Sequence, residues 1–297
     1  MNRIFTYTIP VEFEGKNILS FLKHHQYSSP IITHLKRTER GILLNNEWGR
    51  VRDILHENDI LTITLIETTT SDNIVPSPLT LSILYEDDDL MVINKEADTP
   101  IHPSQGNYDN TLANAVAYLY QERKEPFVYR CMNRLDKDTT GLLILAKNLY
   151  SASLLSTMIK NREVHREYLA IATGFVPDQG IIDKPIGRVD GSTIEREVNL
   201  ITGDPARTHF KRLAYKNGYS LVSLKLETGR THQIRVHMKS IGHPLPGDFL
   251  YNPDYSIIQR QALHSYRLSF AHPITKELLV FTAPLPEDMR LLFPLDH

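Results

Sequence analysis

The run Leu142-Leu143-Ile144-Leu145-Ala146 is apolar at every position and too short for a buried helix, so it predicts a central strand covered on both faces. Thr139, Thr140 and Gly141 read as the bend leading into it, and Asn133-Arg134-Leu135-Asp136-Lys137-Asp138 as a charged loop at its mouth. Residues 81–85 and 90–94 predict strands around an acidic turn. Residues 112–119 predict a helix, and Asn148 caps another carrying Leu149, Ala152, Leu155, Met158 and Ile159. Strands then dominate, over 168–172, 208–215, 220–227, 233–237 and 278–283. Clustered strands with few crossover helices predict an α+β fold, a mixed, mainly antiparallel sheet with flanking helices.

Residues 1–66 follow a different pattern. A strand-like start leads to a helix over 17–22, then a second one buries Ile31, Ile32 and Leu35 while its exposed face carries His34, Lys36, Arg37 and Arg40. Gly41 ends it. Residues 42–48 read as a hairpin turning at Asn45-Asn46, and residues 61–65 as a closing strand. Such a small α/β module suits RNA contact, and a capping subdomain with a solvated basic face fits the same pattern. Residues 67–80, rich in Thr, Ser and Pro, form the expected linker, and 81–297 the second unit.

Composition narrows the classes. The chain has 297 residues, 41% of them hydrophobic, which suffices for a real core and excludes a disordered or fibrous protein. Its net charge of -2 conceals an uneven distribution. Residues 67–99 place Glu67, Asp72, Glu86, Asp87, Asp88, Asp89, Glu96 and Asp98 against Lys95 alone, whereas residues 201–243 are dominated by Lys and Arg. Two electrically different faces are expected, the positive one able to attract a polyanion. Cys131 is the only cysteine, which excludes an intrachain disulfide. No apolar run approaches the roughly 20 residues of a membrane span. A cytoplasmic protein without a membrane partner is expected, monomeric by default and with no obligatory protein partner indicated.

Two segments could carry chemistry. In the first, Asp136 can act as a base or nucleophile at neutral pH, and a guanidinium beside it favours the charged form. The second is Thr228-Gly229-Arg230-Thr231-His232-Gln233-Ile234-Arg235-Val236-His237. Taken as a strand, it puts Gln233, Arg235 and His237 on one polar face and Ile234 and Val236 on the core face. Arg suits the planar pairing of a carboxylate or phosphate. Tyr168 could stack on a base, although simple packing explains it equally. No third ligand accompanies His232 and His237, so no metal is expected, and no glycine-rich nucleotide fingerprint supports a cofactor.

Together these segments resemble the RluA family of RNA pseudouridine synthases, over roughly residues 80–285. The family's Arg-Leu-Asp signature followed by Thr-Gly matches Arg134, Leu135, Asp136, Thr140 and Gly141. Its tyrosine matches Tyr168, and its Thr-Gly-Arg-x-His-Gln-Ile-Arg-x-His segment matches 228–237. His102-Pro103, Gly242-His243-Pro244-Leu245 and Gly247-Asp248 are also similar. The resemblance implies the pseudouridine synthase catalytic fold and conversion of uridine to pseudouridine in structured ribosomal or transfer RNA, without cofactor or metal. It makes Asp136 the essential aspartate, starting either by taking the ribose C2′ proton or by attacking the sugar. Arg235 becomes its ion partner and Tyr168 the stacking residue. It further implies that Arg134 fills the space of a flipped base, that Arg230, Lys239 and His102 contact RNA, and that Thr140, Gly141, Ile234 and His237 support the site.

Departures occur at Ser28-Ser29-Pro30 and Leu44-Asn45-Asn46, where relatives of the amino-terminal module carry Ser-Arg and Val-Asn-Gly. Another is Asn133, where His or Gly commonly precedes Arg-Leu-Asp; its side chain is expected to preserve a polar contact. An RNA-binding or ribosome-assembly protein without turnover is the alternative, and a hydrolase of small molecules a third.

Overall fold

In the computed structural model, every residue is described except Met1, Thr69, Asp72 and residues 295–297. Asp72 of the acidic run, two expected linker positions and the chain end therefore lie outside the described residues. A four-stranded sheet in the order β1-β4-β2-β3 is formed by β1 (Asn2–Thr8), β2 (Ile42–Leu44), β3 (Glu47–Trp48) and β4 (Ile60–Ile66), packed against α1 (Ile18–His24) and α2 (Ser29–Arg37). Asn17 caps α1 by accepting from the Ser20 amide. The tight hairpin follows from its sequence, since Asn45 and Asn46 both hold positive φ, and the Asn45 carboxamide bonds Ile60 and Asp59. Helix α2 ends at Arg37, ahead of Gly41. A Cβ on Gly41 would lie 2.7 Å from the Leu35 carbonyl, so close approach, and not helix termination, is what needs glycine there.

The larger sheet uses β5 (Ser82–Glu86), β6 (Leu90–Lys95), β7 (Thr140–Ala146), β8 (His165–Thr173), β9 (Gln179–Asp183), β12 (Arg207–Lys216), β13 (Tyr219–Leu226), β14 (Leu263–Ala271) and β15 (Leu278–Thr282). Strands β10 (Ile186–Arg188) and β11 (Arg196–Val198) form a separate ribbon. Helices α3 (Leu112–Arg123), α4 (Leu149–Lys160), α5 (Gln233–Ser240) and α6 (Glu287–Arg290) complete the fold. The order is β5-β6-β7-β14-β8-β13-β12-β9, with β15 also on β14. Its pairings are antiparallel except for β7 with β14, so the sheet is mixed and mainly antiparallel, as its strand pattern predicts.

The parallel step fixes the site. Every residue of β7 is buried, and Thr140 and Gly141 belong to the strand, whereas the sequence reads them as the bend before it. Gly141 joins because it alone tolerates φ +106, and a Cβ there would lie 2.3 Å from the Ser265 carbonyl of β14. Gly141→Ala is expected to destabilise by about 3 kcal/mol or more, since backbone and not a flexible side chain must yield. An unchanged urea midpoint would show that β7 and β14 need no such approach.

Residues 233–237 lie in α5 and not in the strand that their alternation predicts. Five residues cannot separate a period of two from one of 3.6, and every residue from Gln233 to Met238 is buried, so polarity does not mark an exposed face there. Gln233 and His237, one turn apart, both bond Thr208, while Arg235 points elsewhere.

The two sheets are joined through side chains. Tyr150 and Leu154 of α4 enter the amino-terminal core, Tyr27 stacks on Tyr150 at 4.0 Å, and Arg3 binds Asp89 through Nε and Nη2. Much of the acidic run is thereby neutralised, with Glu86 held by Arg123 and Lys147. Asp87, Asp89 and His272 lie close enough to suggest a metal, but Arg3, Tyr85, Asn148 and Ser151 already bond their carboxylates. That group adjoins the Ala146 end of β7, opposite the Asp136 loop and roughly 20 Å from it by strand rise.

Candidate active site

Asp136 stands at the turn before β7, where the Thr139 amide donates to its carbonyl. Buried cations grip this turn from behind. The Lys95 ammonium donates to the Glu96 and Lys137 carbonyls, both at 2.7 Å, and Arg260 donates to the Asp138 carbonyl while paired with Asp288. Burial pushes Lys95 down to about 7. Asn133 performs the polar task expected of it: its carboxamide oxygen accepts from the Ile144 amide at 2.8 Å, extending the ladder beside β7.

The opposite wall is α5. Arg235, 1% exposed, lays one guanidinium plane between two carboxylates. Nε and Nη2 each reach Asp248 at 2.7 Å, and Nη1 reaches Asp136 Oδ2 at 2.8 Å. Hydrogen bonds and both negative charges raise Arg235 further above its ordinary value, against the desolvation that opposes them. Asp136 Oδ1, in contrast, makes no hydrogen bond among the described residues; the side chain lines open space, with His232 Nε2 3.9 Å from Oδ1.

That space is a cavity of about 570 Å³, large enough for a nucleotide. Tyr168, Leu226 and Ile234 supply apolar lining, whereas Arg134, Lys160, Arg162, Arg166 and Arg230 bring cations to it. Arg134 is exposed, its Nη2 3.4 Å from Thr231 Oγ1. Tyr168 is buried; desolvation raises its phenol, opposed by the Arg166 charge and a Ser265 hydrogen bond.

The supporting residues have identifiable partners. Thr140 Oγ1 meets His264 Nδ1 at 2.8 Å, Ile234 packs in the core, and His237 bridges Thr208 and the Lys184 carbonyl. Two expected RNA contacts stand apart from the lining residues. His102 lies edge-on to Tyr129, and Lys239 sits 5.3 Å from the Tyr251 ring centre on the exposed side of α5. Arg230 lines the cavity but also bonds the Pro205 carbonyl and faces Asp204.

Sequence reasoning misses Lys95 as a support, Asp248 as the second partner of Arg235, and Tyr251 altogether. Lys95 is visible as the lone base in an acidic segment. Tyr251 carries no local signal, since a loop brings it to α5 from further along the chain.

A cation-rimmed cavity whose lining includes Asp136, clamped by Arg235, and Glu227, held by Arg162, fits an enzyme that handles a nucleoside within a polyanion. The RNA pseudouridylate synthase family matches residues 89–240. An uncharacterised RNA pseudouridine synthase of Bacillus subtilis, YjbO, is 41% identical over 89% of this chain and 94% of its own. The ribosomal large subunit pseudouridine synthase D of Neisseria meningitidis serogroup A is 36% identical, over 95% of this chain and 79% of that one. Among solved structures, human RNA pseudouridylate synthase domain containing 1 superposes with a TM-score of 0.58 at 30% identity, over 69% of this chain and 83% of that one. The chain belongs to the RluA-like RNA pseudouridine synthases, enzymes that isomerise uridine to pseudouridine within RNA. Among the described residues no helix is long and apolar enough to cross a membrane.

Proposed function

We propose that the protein converts one or more uridines of large-subunit ribosomal RNA to pseudouridine in the cytoplasm, with Asp136 as the catalytic residue. The observation that carries this reading is the asymmetry of its carboxylate: Oδ2 is bound by Arg235 while Oδ1, on a side chain that lines the cavity, has no hydrogen bond among the described residues. The ribosomal substrate rests on relatives whose names specify the large subunit. A clamped, accessible carboxylate also weighs against the reading of a protein that only binds RNA.

The target uridine leaves its loop or helix at a cost of a few kcal/mol and enters the cavity, with Arg134 filling the gap behind it. Asp136 takes the proton from ribose C2′ as the C1′–N1 bond breaks, which leaves a glycal and a uracil anion. The base turns against Tyr168, C5 bonds to C1′, and C2′ regains its proton. Loss of the C5 proton and protonation at N1 complete an isomerisation that conserves every atom. Arg230 and the other rim cations hold the flanking phosphates.

Burial keeps the Tyr168 hydroxyl protonated at neutral pH, so a part in C5 deprotonation requires it to pass on its own proton. Tyr168→Phe is expected to bind RNA within about 3-fold of wild type and to slow single-turnover product formation by roughly 10- to 100-fold. Equal rates would remove the hydroxyl from the reaction.

The substrate class is tested by incubating purified protein with ribosomal RNA from cells lacking it, and in parallel with free uridine. Pseudouridine is expected in the RNA alone. Turnover of the free nucleoside would instead favour a small-molecule enzyme.

A further inference from the structure

His232 stands in the left-handed region, φ 57 and ψ 19, directly before α5. Histidine is among the residues found there more often than most, yet the conformation is still strained, and it places the ring in the lining of the cavity with Asp136. The ring is anchored at one nitrogen. Nδ1 lies 2.9 Å from the Tyr251 hydroxyl, and that hydroxyl accepts from the Arg196 amide at 2.9 Å.

This chain selects a tautomer. With one lone pair of the Tyr251 oxygen engaged by Arg196, donation of the phenol proton to His232 Nδ1 leaves no buried proton without a partner. His232 is then neutral, with its proton on Nε2. Burial acts in the same direction, lowering the imidazole below its ordinary value against the opposing pull of Asp136. The Nε2–H faces Asp136 Oδ1 across 3.9 Å, too far for a direct hydrogen bond.

We propose that His232 is a substrate-binding residue whose Nε2–H donates to the 2′-hydroxyl of the target nucleotide, making the site selective for ribose. This rests on reading the cavity as the uridine site. The geometry supports it in two ways. A carboxylate acting at C2′ has the 2′-hydroxyl on the same carbon, and His232 is the donor held beside that carboxylate's open oxygen. The 2′-hydroxyl, moreover, is the group by which a protein distinguishes RNA from DNA at a given nucleotide.

The test compares an RNA oligonucleotide carrying a uridine that the wild-type protein converts with the same oligonucleotide bearing 2′-deoxyuridine at that position. Affinities are measured for wild type, His232→Phe, His232→Gln and Tyr251→Phe. Wild type is expected to prefer ribose by roughly 10-fold, the strength of one hydrogen bond. His232→Phe should abolish that preference. His232→Gln, which places an amide N–H near the Nε2 position, should retain part of it. Tyr251→Phe leaves His232 and its backbone in place but frees the tautomer, so it guards against misfolding in the His232→Phe variant; it should reduce the preference, and ¹⁵N chemical shifts of the ring should report mixed tautomers. Equal weakening for both sugars, or a wild-type ring protonated on Nδ1, would overturn the inference. Absence of any converted uridine would instead overturn the reading of the site.

Discussion

Asp136→Asn is expected to lower pseudouridine formation by at least roughly 1,000-fold while the protein remains folded and bound to RNA. The amide keeps the shape of the carboxylate and an oxygen for Arg235 Nη1, but it has no charge with which to take a proton. Stability should change by less than about 1 kcal/mol. The reason is Asp248, which retains both of its bonds to Arg235, so the buried guanidinium is never left without a counter-charge. Single-turnover kinetics and RNA affinity measured on one preparation separate these effects. An Asn variant that still makes pseudouridine would remove Asp136 from the chemistry, and one that is inactive because it unfolds would assign Asp136 a structural task.

Arg235→Lys is expected to cost about 100-fold or more in activity and, in addition, about 2 kcal/mol in stability. From sequence alone, activity should suffer far more than stability, because a point charge cannot reproduce a planar fork. Burial modifies that expectation. One guanidinium plane makes three hydrogen bonds to two carboxylates, and Asp248 has no exposed surface from which water could replace them. An ammonium can hold Asp248 or aim Asp136 with good geometry, but not both. Urea unfolding and single-turnover rates check the two parts independently. Wild-type turnover in the Lys variant would show that Asp136 needs no planar clamp.

Much of the fold is legible in the sequence because local pattern and tertiary role coincide. The apolar run of β7, the Asn148 cap of α4 and the Asn45-Asn46 turn each behave as their chemistry dictates. Strand β14 is hidden because its polar residues, His264 and Ser265, are buried and bonded to Thr140 and the Leu142 carbonyl, which breaks any simple alternation. Helix α5 reads as a strand for a related reason: Gln233, Arg235 and His237 find partners inside the protein, so polarity gives no guide to exposure. At the site, Asp136, Tyr168 and Arg235 are nameable from family motifs, and the structure brings all three to one cavity or its wall. His232 stands out in the sequence only as an inadequate metal ligand, since its anchoring by Tyr251 depends on a contact across the fold.

Whether Asp136, aimed by Arg235, isomerises a uridine in ribosomal RNA is decided by mapping pseudouridine across the ribosomal RNA of cells that lack this protein and of the same cells supplied with wild-type or Asp136→Asn protein. At least one mark is expected to disappear with the protein, to return with wild type and to stay absent with the Asn variant. A map identical in all these cells, or a mark restored by Asp136→Asn, would contradict this role of Asp136.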